Sequence, residues 1–258
     1  EGTRAVARFN LPTGLAADTV STDILVADYG SHHVRRLTPA GRVNTWLGTG
    51  ASGHAPGLLT TAVLQGPRAF ALSATGEVYI TEFDGCRIRY VTAGGTVSTL
   101  AGKDPTDCTY AVGAGTAAGF SGPVGIGLFA GFLVVGEVGT HIVRKVNIAD
   151  GDAQVRTGTG SAGFLDGPPG IATFYGLRDF AVAGDGTTYL SDIHNRAIRK
   201  LDTSDMTTTL AGSGLSGSTD HVIGVAATFV NPHGLTIDSD GYLFVADHSG
   251  HDIRMIAP

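Results

Sequence analysis

Two kinds of charged residue recur together along this chain and could suggest a reactive site. At five places an acid is followed seven positions later by an arginine. The acids are Asp28, Glu82, Glu137, Asp192 and Asp247, and the arginines are Arg35, Arg89, Arg144, Arg199 and Arg254. An enzyme needs a catalytic group once, whereas a residue that recurs in every copy of a sequence repeat has a role in the structure of that repeat. We therefore predict structural roles, in which each carboxylate caps a turn and each arginine hydrogen-bonds to carbonyls or to an acid.

Histidines lie close to the same acids in the sequence and could suggest a metal site. They are His32, His33, His141, His194, His248 and His251. Zinc needs three or four ligands at about 2.0 to 2.3 Å, but these histidines lie in turns that belong to separate copies of a repeat and stand away from the predicted axis. We therefore predict that they are turn residues, and we predict no metal site and no cofactor.

The elements that must position these residues are five copies of one repeat. The residues that open the copies are Phe9, Leu64, Phe120, Phe174 and Phe229. Each copy has three short apolar segments separated by polar turns, a pattern typical of antiparallel strands, and four copies add a fourth segment. One such sheet cannot bury both faces, so the copies are expected to pack side by side around an axis. The sequence therefore predicts an all-β fold, a β-propeller, as a single domain over residues 1–258.

The two ends of the chain differ from the repeat pattern. The last copy stops after its third segment, and residues 1–8 align with the connectors between copies rather than with a fourth segment. We therefore predict four blades of four strands and a last blade of three. Glu1 is not preceded by methionine or by a signal-like apolar region, so we expect a processed or trimmed segment.

The repeat resembles the NHL repeat family. Its P-x-G, D-x-x-G and N-H-x-I-R-K features are matched by NPHGLTIDSDGYLFVADHSGHDIRMI at residues 231–256 and by DFAVAGDGTTYLSDIHNRAIRKLD at residues 179–202. The resemblance implies a β-propeller, although family propellers often have six blades. Family members include RNA-binding, protein-binding, cell-surface and enzymatic proteins, so the resemblance leaves function open.

The start of the first strand varies between copies and is expected to surround the mouth of an axial channel. The residue pairs there are Thr13-Gly14, Arg68-Ala69, Val124-Gly125, Arg178-Asp179 and His233-Gly234. Because binding residues concentrate on variable positions over a rigid scaffold, we predict Arg68, Arg178, Asp179 and His233 as ligand-binding residues. A pocket for a small anion and simple channel-lining polarity are the alternatives. Similar peptide-amidating lyases hold zinc with histidines at such positions, and His233 resembles one of these.

Cys86 and Cys108 are predicted to form a disulfide. Cys86 lies in the turn between the second and third strands of the second copy, and Cys108 lies in the connector that follows that copy. Alternating strand direction puts both on one face of the blade. Two free thiols are the alternative. A bridge implies an oxidising compartment and therefore an extracellular or cell-surface protein.

Other features exclude functions rather than assign them. The net charge is -6, which argues against a nucleic-acid partner. The longest apolar run, residues 125–138, is too short and glycine-rich to cross a bilayer.

Asp238-Ser239-Asp240-Gly241 resembles part of a calcium loop but lacks the closing glutamate, so we predict a hairpin turn. We predict a solvated connector over residues 103–107.

We expect a non-enzymatic recognition module, part of a larger extracellular or cell-surface protein, that binds a protein or carbohydrate on its connector-loop face as a monomer. The resemblance also implies this, since related repeats occur in secreted bacterial proteins and in protozoan surface antigens. The alternative is a metal-dependent lyase or lactonase-type enzyme with its site at the channel mouth. A third hypothesis is assembly, in which the last blade takes a strand from a partner by edge pairing.

Overall fold

A computed structural model of the chain describes residues 1–3, 6–18, 20–103 and 107–258. These residues form 21 β-strands, three short 3-10 turns and no α-helix, and none of their segments is a helix long and apolar enough to span a membrane. Residues 104–106, the centre of the predicted solvated connector, lie outside the described residues.

The strands follow one another in a regular order. In chain order they are β1 Gly2–Thr3, β2 Pro12–Ala17, β3 Ile24–Asp28, β4 His33–Leu37, β5 Arg42–Leu47, β6 Gly57–Leu58, β7 Pro67–Leu72, β8 Val78–Glu82, β9 Arg87–Val91, β10 Thr96–Ala101, β11 Pro123–Phe129, β12 Phe132–Glu137, β13 Ile142–Asn147, β14 Ala153–Thr157, β15 Leu177–Val182, β16 Thr188–Asp192, β17 Ala197–Leu201, β18 Thr207–Ala211, β19 Pro232–Ile237, β20 Leu243–Asp247 and β21 Asp252–Ile256. The sheets are ordered β1-β5-β4-β3-β2, β6-β10-β9-β8-β7, β11-β12-β13-β14, β15-β16-β17-β18 and β19-β20-β21.

The fold is an all-β, five-bladed β-propeller, with four blades of four main strands and a last blade of three, as predicted. Within each blade we name the main strands a to d in chain order. Strand b is the most buried, because its apolar and β-branched residues are covered on both faces; all five residues of Val78–Glu82 are buried, for example. The additional two-residue strands β1 and β6 pair antiparallel with strand d of the first and second blades.

The chain divides into two compact units, each with its own apolar core. The first comprises Glu1–Leu128 and Val146–Ala153, and the second comprises Phe129–Lys145 and Gln154–Pro258. In the first unit, a cluster that includes Leu25, Leu64 and Ile80 is fully buried. In the second unit, residues including Ile198, Phe229 and Val245 form a comparable cluster.

The residue that opens the repeat is a core residue in four of the five copies. Leu64, Phe120 and Phe174 are fully buried and Phe229 is almost so, whereas Phe9 is 39% exposed. The arginine of strand c covers the aromatic ring. The guanidinium carbon of Arg199 lies 5.2 Å from the Phe174 ring centroid, and that of Arg254 lies 4.9 Å from the Phe229 ring centroid. Two recurring positions of the repeat, the opening aromatic residue and the arginine of strand c, therefore contact each other.

The recurring acid of strand b contacts the same arginine in four blades. The nitrogen-to-oxygen distances are 3.4 Å for Arg35 and Asp28, 3.3 Å for Arg89 and Glu82, 2.8 Å for Arg144 and Glu137, and 2.8 Å for Arg199 and Asp192. In the last blade Arg254 pairs with Asp220 of the connector, and Asp247 accepts the backbone N–H groups of Val230 and Asn231.

Each carboxylate also fastens the turn after strand b to the connector before strand a. Asp192 accepts hydrogen bonds from the Tyr175 N–H at 2.8 Å and from the Asn195 amide at 2.8 Å. Arg199 completes the junction by donating to the carbonyls of Thr173 at 3.0 Å and Leu165 at 2.8 Å. The acid and arginine thus hold a turn, a connector and a core ring together.

Burial makes these carboxylates costly to keep charged. It raises the pKa of Glu82 to about 7 and raises the pKa of Asp192, although Arg89 and Arg199 beside them favour the charged forms. In these two blades the arginine is therefore the group that compensates the buried carboxylate.

We expect Arg199→Met to lower the free energy of unfolding by about 3–5 kcal/mol, because Asp192 would remain buried without its cation. Urea denaturation followed by circular dichroism measures this loss. Lys200→Met is the matched control. Lys200 is the next residue of the same strand and is half-buried, so its loss should stay below about 0.5 kcal/mol. Equal losses for the two variants would contradict the assigned role of Arg199.

Cys86 and Cys108 form a disulfide, as the sequence predicted. Their Cα atoms are 5.3 Å apart, and the bridge closes a loop of 22 residues in sequence separation. It joins the turn between β8 and β9 to the connector that follows the second blade. The Cys86 side chain is buried, so the bridge contributes packing as well as a constraint on the unfolded chain.

We expect the double variant Cys86→Ser, Cys108→Ser to lose about 3 kcal/mol of stability, the cost of releasing a loop of this length in the unfolded chain. Thermal unfolding with and without a reductant tests this: reduction should destabilise the wild type and leave the variant unchanged. An intact mass that does not increase by two hydrogens on reduction would contradict the bridge.

Candidate functional site

The start of strand a and the turn after strand b lie together at one end of each blade, which we call the connector end. The first residue of strand a pairs directly with the recurring acid, as in Pro12 with Asp28 and Pro232 with Asp247. The variable residues that follow in strand a are therefore held beside the b-to-c turn by the scaffold described above. This is the end at which the sequence predicted ligand-binding residues.

In the first unit, Arg68 belongs to a cluster of aromatic and charged side chains. Its guanidinium carbon lies 4.9 Å from the Phe83 ring centroid, and Phe83 meets Tyr29 edge-on with ring centroids 6.5 Å apart. Burial, a hydrogen bond with Asp84 and the charge of that carboxylate raise the pKa of Tyr29. We call Tyr29, Arg68, Phe83 and Asp84 the Arg68 cluster. Arg68 is buried, the two rings are half-buried, and Asp84 is exposed.

In the second unit, Asp179 and His233 lie at the starts of neighbouring strands, β15 and β19. The Asp179 carboxylate accepts the Leu235 N–H at 2.9 Å, and the Ser191 hydroxyl donates to the His233 carbonyl at 2.7 Å. The His233 ring stacks on His248 with centroids 4.7 Å apart and planes 14° from parallel. The structure therefore brings an acid and two imidazoles to the connector end of the last two blades.

Arg178, the remaining predicted residue, is half-buried next to Asp179. Burial lowers the pKa of its guanidinium, and the Asp179 charge opposes this effect. Arg178, Asp179 and His233 belong to the second unit and Arg68 belongs to the first. Binding of one ligand by all four residues stays a prediction.

Sequence reasoning assigned no ligand-binding role to the residue that directly follows each recurring acid. At this position stand Tyr29, Phe83, Val138, Ile193 and His248. The strand-a residue contacts it in both units: Arg68 lies over Phe83, and His233 stacks on His248. The signal was present in the sequence, because this position varies between blades while the adjacent acid does not.

The b-to-c turns contain a second recurring position with an unusual backbone. It is occupied by His32, Cys86, His141, Arg196 and His251, whose φ angles are 56°, 51°, 52°, 51° and 58°. A left-handed conformation is uncommon for residues other than glycine, so its recurrence marks a shared turn. These histidines are accordingly turn residues in the structure.

Side chains at this turn position reach the connector of the following blade. The His32 ring accepts the Gly66 N–H at 3.2 Å. The His141 ring meets Tyr175 edge-on with centroids 5.6 Å apart, and Tyr175 packs on His194 with centroids 4.5 Å apart. Cys86 is at the equivalent place and uses a disulfide for the same purpose. The turn position therefore links consecutive blades with a different chemistry in each.

Among the residues that the structure describes, no three His, Cys, Asp or Glu side chains are grouped as a metal site. The calcium-like segment at Asp238 is a hairpin turn between β19 and β20. The Asp238 carboxylate accepts the N–H groups of Asp240 at 3.0 Å and Tyr242 at 2.9 Å, so the turn itself uses its oxygens.

Grooves also occur at the opposite end of the blades, where the a-to-b and c-to-d turns lie. A groove of about 450 Å³ in the first unit is lined by Arg36, Trp46 and Asp18, among others, and one of about 580 Å³ in the second is lined by residues including Tyr189. In the first of these Arg36 already pairs with Asp18 at 3.5 Å and lies over Trp46. The charges of Arg36 and Asp18 therefore compensate each other within this groove.

Comparison with known proteins supports the repeat and the fold. Residues 9–37 match the sequence profile of the NHL repeat. Protein SUPPRESSOR OF QUENCHING 1, chloroplastic, from Arabidopsis thaliana is 27% identical over 290 aligned residues, which cover 99% of this chain. The chain spans only 26% of the length of that relative.

Solved structures of similar fold have low sequence identity. An auxiliary nutrient binding protein from Bacteroides ovatus superposes with a TM-score of 0.73 at 17% identity, covering 98% of this chain and 60% of that one. A streptogramin B lyase superposes with a TM-score of 0.64 at 13% identity, covering 100% of this chain and 69% of that one. The chain therefore contains an NHL repeat at residues 9–37 and shares the β-propeller fold of these proteins.

Proposed function

We propose that this propeller is a non-enzymatic recognition module that binds a protein or carbohydrate ligand at the connector end of its blades. The observation that carries the proposal is the Arg68 cluster. Its half-buried rings offer apolar faces, and the neighbouring Asp84 offers an exposed carboxylate. Apolar ring faces beside a few placed polar groups are typical of ligand sites, and of the two ligand classes they favour carbohydrate.

The scaffold supports this use of the connector end. The acids of strand b are buried, and in four blades the arginine of strand c is buried against its acid, so these residues rigidify the turns without occupying the surface. The positions beside them differ from blade to blade. A rigid scaffold with variable neighbouring side chains is the arrangement in which binding residues are usually found.

The similar structures are compatible with ligand recognition. Two of them are auxiliary nutrient binding proteins of Bacteroides, and another belongs to a nidogen–laminin complex. The disulfide adds a second line of support, since such bonds persist in oxidising compartments. We propose that the chain acts outside the cell or at the cell surface.

We expect the purified protein to bind one or more members of an oligosaccharide array, and Phe83→Ala to weaken that binding at least about tenfold, because a stacking face is lost. Isothermal titration calorimetry measures the change. Tyr242→Ala, an aromatic residue at the opposite end of the last blade, is the control and should bind like wild type. Binding that Phe83→Ala and Asp84→Ala both leave unchanged would contradict this site.

A second candidate, a metal-dependent lyase or lactonase-type enzyme, is favoured by the stacked pair His233 and His248 and by the likeness to a streptogramin B lyase. Elemental analysis of the purified protein separates the two functions. The recognition hypothesis predicts no stoichiometric zinc or calcium. Stoichiometric metal that is lost in His233→Ala would overturn it in favour of the enzyme.

A further inference from the structure

The groove of about 450 Å³ at the end opposite the connector end has the size and lining of a small-molecule site. It is lined by residues of the first and second blades, which both lie in the first unit. Pockets that bind small molecules have volumes of roughly 300–1,000 Å³, so this space suits one small ligand. We call it the Trp46 groove, because the single tryptophan of the chain lines it.

The most buried residues that line the Trp46 groove are apolar. Leu25 and Val78, on strand b of the first and second blades, are buried in the core cluster of the first unit. Leu59 and Leu72 are half-buried and pack against the same cluster. The groove therefore offers an apolar surface to the C–H groups of a ligand, on a base that the core holds rigid.

Arg36 brings hydrogen-bond donors to this apolar surface. Its guanidinium carbon lies 5.6 Å from the Trp46 ring centroid. Among the residues that the structure describes, the side chain donates one hydrogen bond, to Asp18 at 3.5 Å. Its Nε atom is buried, lies 3.5 Å from the Asp23 carboxylate and hydrogen-bonds to none of these residues. Because a guanidinium has five N–H donors and buried donors normally have an acceptor, Arg36 has donors to offer to a ligand.

The charges around Arg36 favour an uncharged ligand. Asp18 and Asp23 each lie 3.5 Å from the guanidinium, so an anion meets no net positive charge there. The oxygens of Asp18 also accept the Val20 N–H at 3.0 Å and the Ser21 hydroxyl at 2.5 Å, which leaves little acceptor capacity for a cation. What remains is a set of N–H donors, and these suit uncharged acceptors such as hydroxyl and ether oxygens.

The second blade contributes hydroxyl groups to the lining. Ser73 and Thr75 come from its a-to-b turn, and Thr92 comes from its c-to-d turn. The Thr92 hydroxyl accepts the Thr96 N–H at 3.0 Å, and a hydroxyl that accepts one hydrogen bond keeps a donor and a second lone pair. The two blades together therefore place polar groups around an apolar base, as a ring that carries several oxygens requires.

The polar residues of the Trp46 groove belong to the first blade alone, in contrast to the acids and arginines of the scaffold. The position of Arg36, directly after the recurring arginine, is occupied in the other blades by Tyr90, Lys145, Lys200 and Met255. The position of Trp46, two residues before the glycine that follows strand d, is occupied by Leu100, Arg156 and Leu210. Variable side chains over a rigid scaffold are typical of a binding site rather than of the repeat.

We propose that the Trp46 groove binds a small uncharged carbohydrate, a mono- or disaccharide. The C–H face of the sugar packs on the apolar residues, and its oxygens accept hydrogen bonds from Arg36 and exchange them with the Thr92 hydroxyl. This site lies at the opposite end of the blades from the Arg68 cluster, so it does not depend on the function proposed for the connector end.

Tryptophan fluorescence tests the proposal, because Trp46 is the single tryptophan. We expect titration of the whole chain with glucose, galactose, mannose, maltose and lactose to give a saturable change in emission for at least one sugar. Arg36→Met removes the donors and should weaken this binding at least about tenfold. Lys200→Met is the matched control, since Lys200 is half-buried at the equivalent position of the fourth blade, and it should titrate like wild type.

Acrylamide quenching of the wild-type protein gives a second measurement that needs no variant. A sugar in the groove should protect Trp46 from the quencher. Phe83→Ala should keep both the titration and the protection, which separates this site from the connector end. Sugar binding that Phe83→Ala abolishes and Arg36→Met leaves unchanged would overturn the proposal.

Glucuronate and glucosamine test the class of ligand. Each resembles glucose but carries a charge, so both should bind more weakly than the best uncharged sugar. Tighter binding of either one would overturn the assignment to an uncharged carbohydrate. Absence of a saturable change with all five uncharged sugars would overturn the site itself.

Discussion

The interaction on which the rest of this structure depends is the burial of a guanidinium at each blade. Arg199 contacts the Asp192 carboxylate, two connector carbonyls and the ring of Phe174 at once. Placing a carboxylate and a guanidinium in a low-dielectric interior costs several kcal/mol for each ion, and the cost is offset only when nearly all of their hydrogen-bonding capacity is used. The contact therefore fixes the turn, the connector and the core ring relative to one another.

This constraint explains why some columns of the repeat are uniform and their neighbours are not. The acid, the arginine and the opening residue depend on one another, so a change in one would leave a buried charge or a void. The residues immediately beside them, such as Arg68, Phe83, His233 and His248, lie at the same end of the blade but are not parts of that junction. They differ between blades, and the pair formed by Arg68 and Phe83 belongs to the cluster that we propose for ligand recognition.

The contacts that link consecutive blades also start from a position that all blades share, but the side chain at that position varies. The left-handed turn position is shared by all five blades, yet its side chain acts as a hydrogen-bond acceptor in His32, a disulfide half in Cys86 and an aromatic edge in His141. The backbone geometry is the conserved requirement of the turn, and several side chains satisfy the link. The last blade keeps the turn, the acid and the arginine, and differs from the others at its outer edge.

The sequence by itself determined the fold class, the blade boundaries, the three-stranded last blade and the disulfide. Each of these depends on the period of short apolar segments and on the alternation of strand direction, which are local properties. Tertiary structure decided which side chains meet: that Arg68 lies over Phe83, that Asp220 replaces Asp247 as the partner of Arg254, and that His233 stacks on His248. These contacts join residues 15 or more positions apart along the chain, and neither spacing nor residue type specifies a distance through space until the sheets have packed.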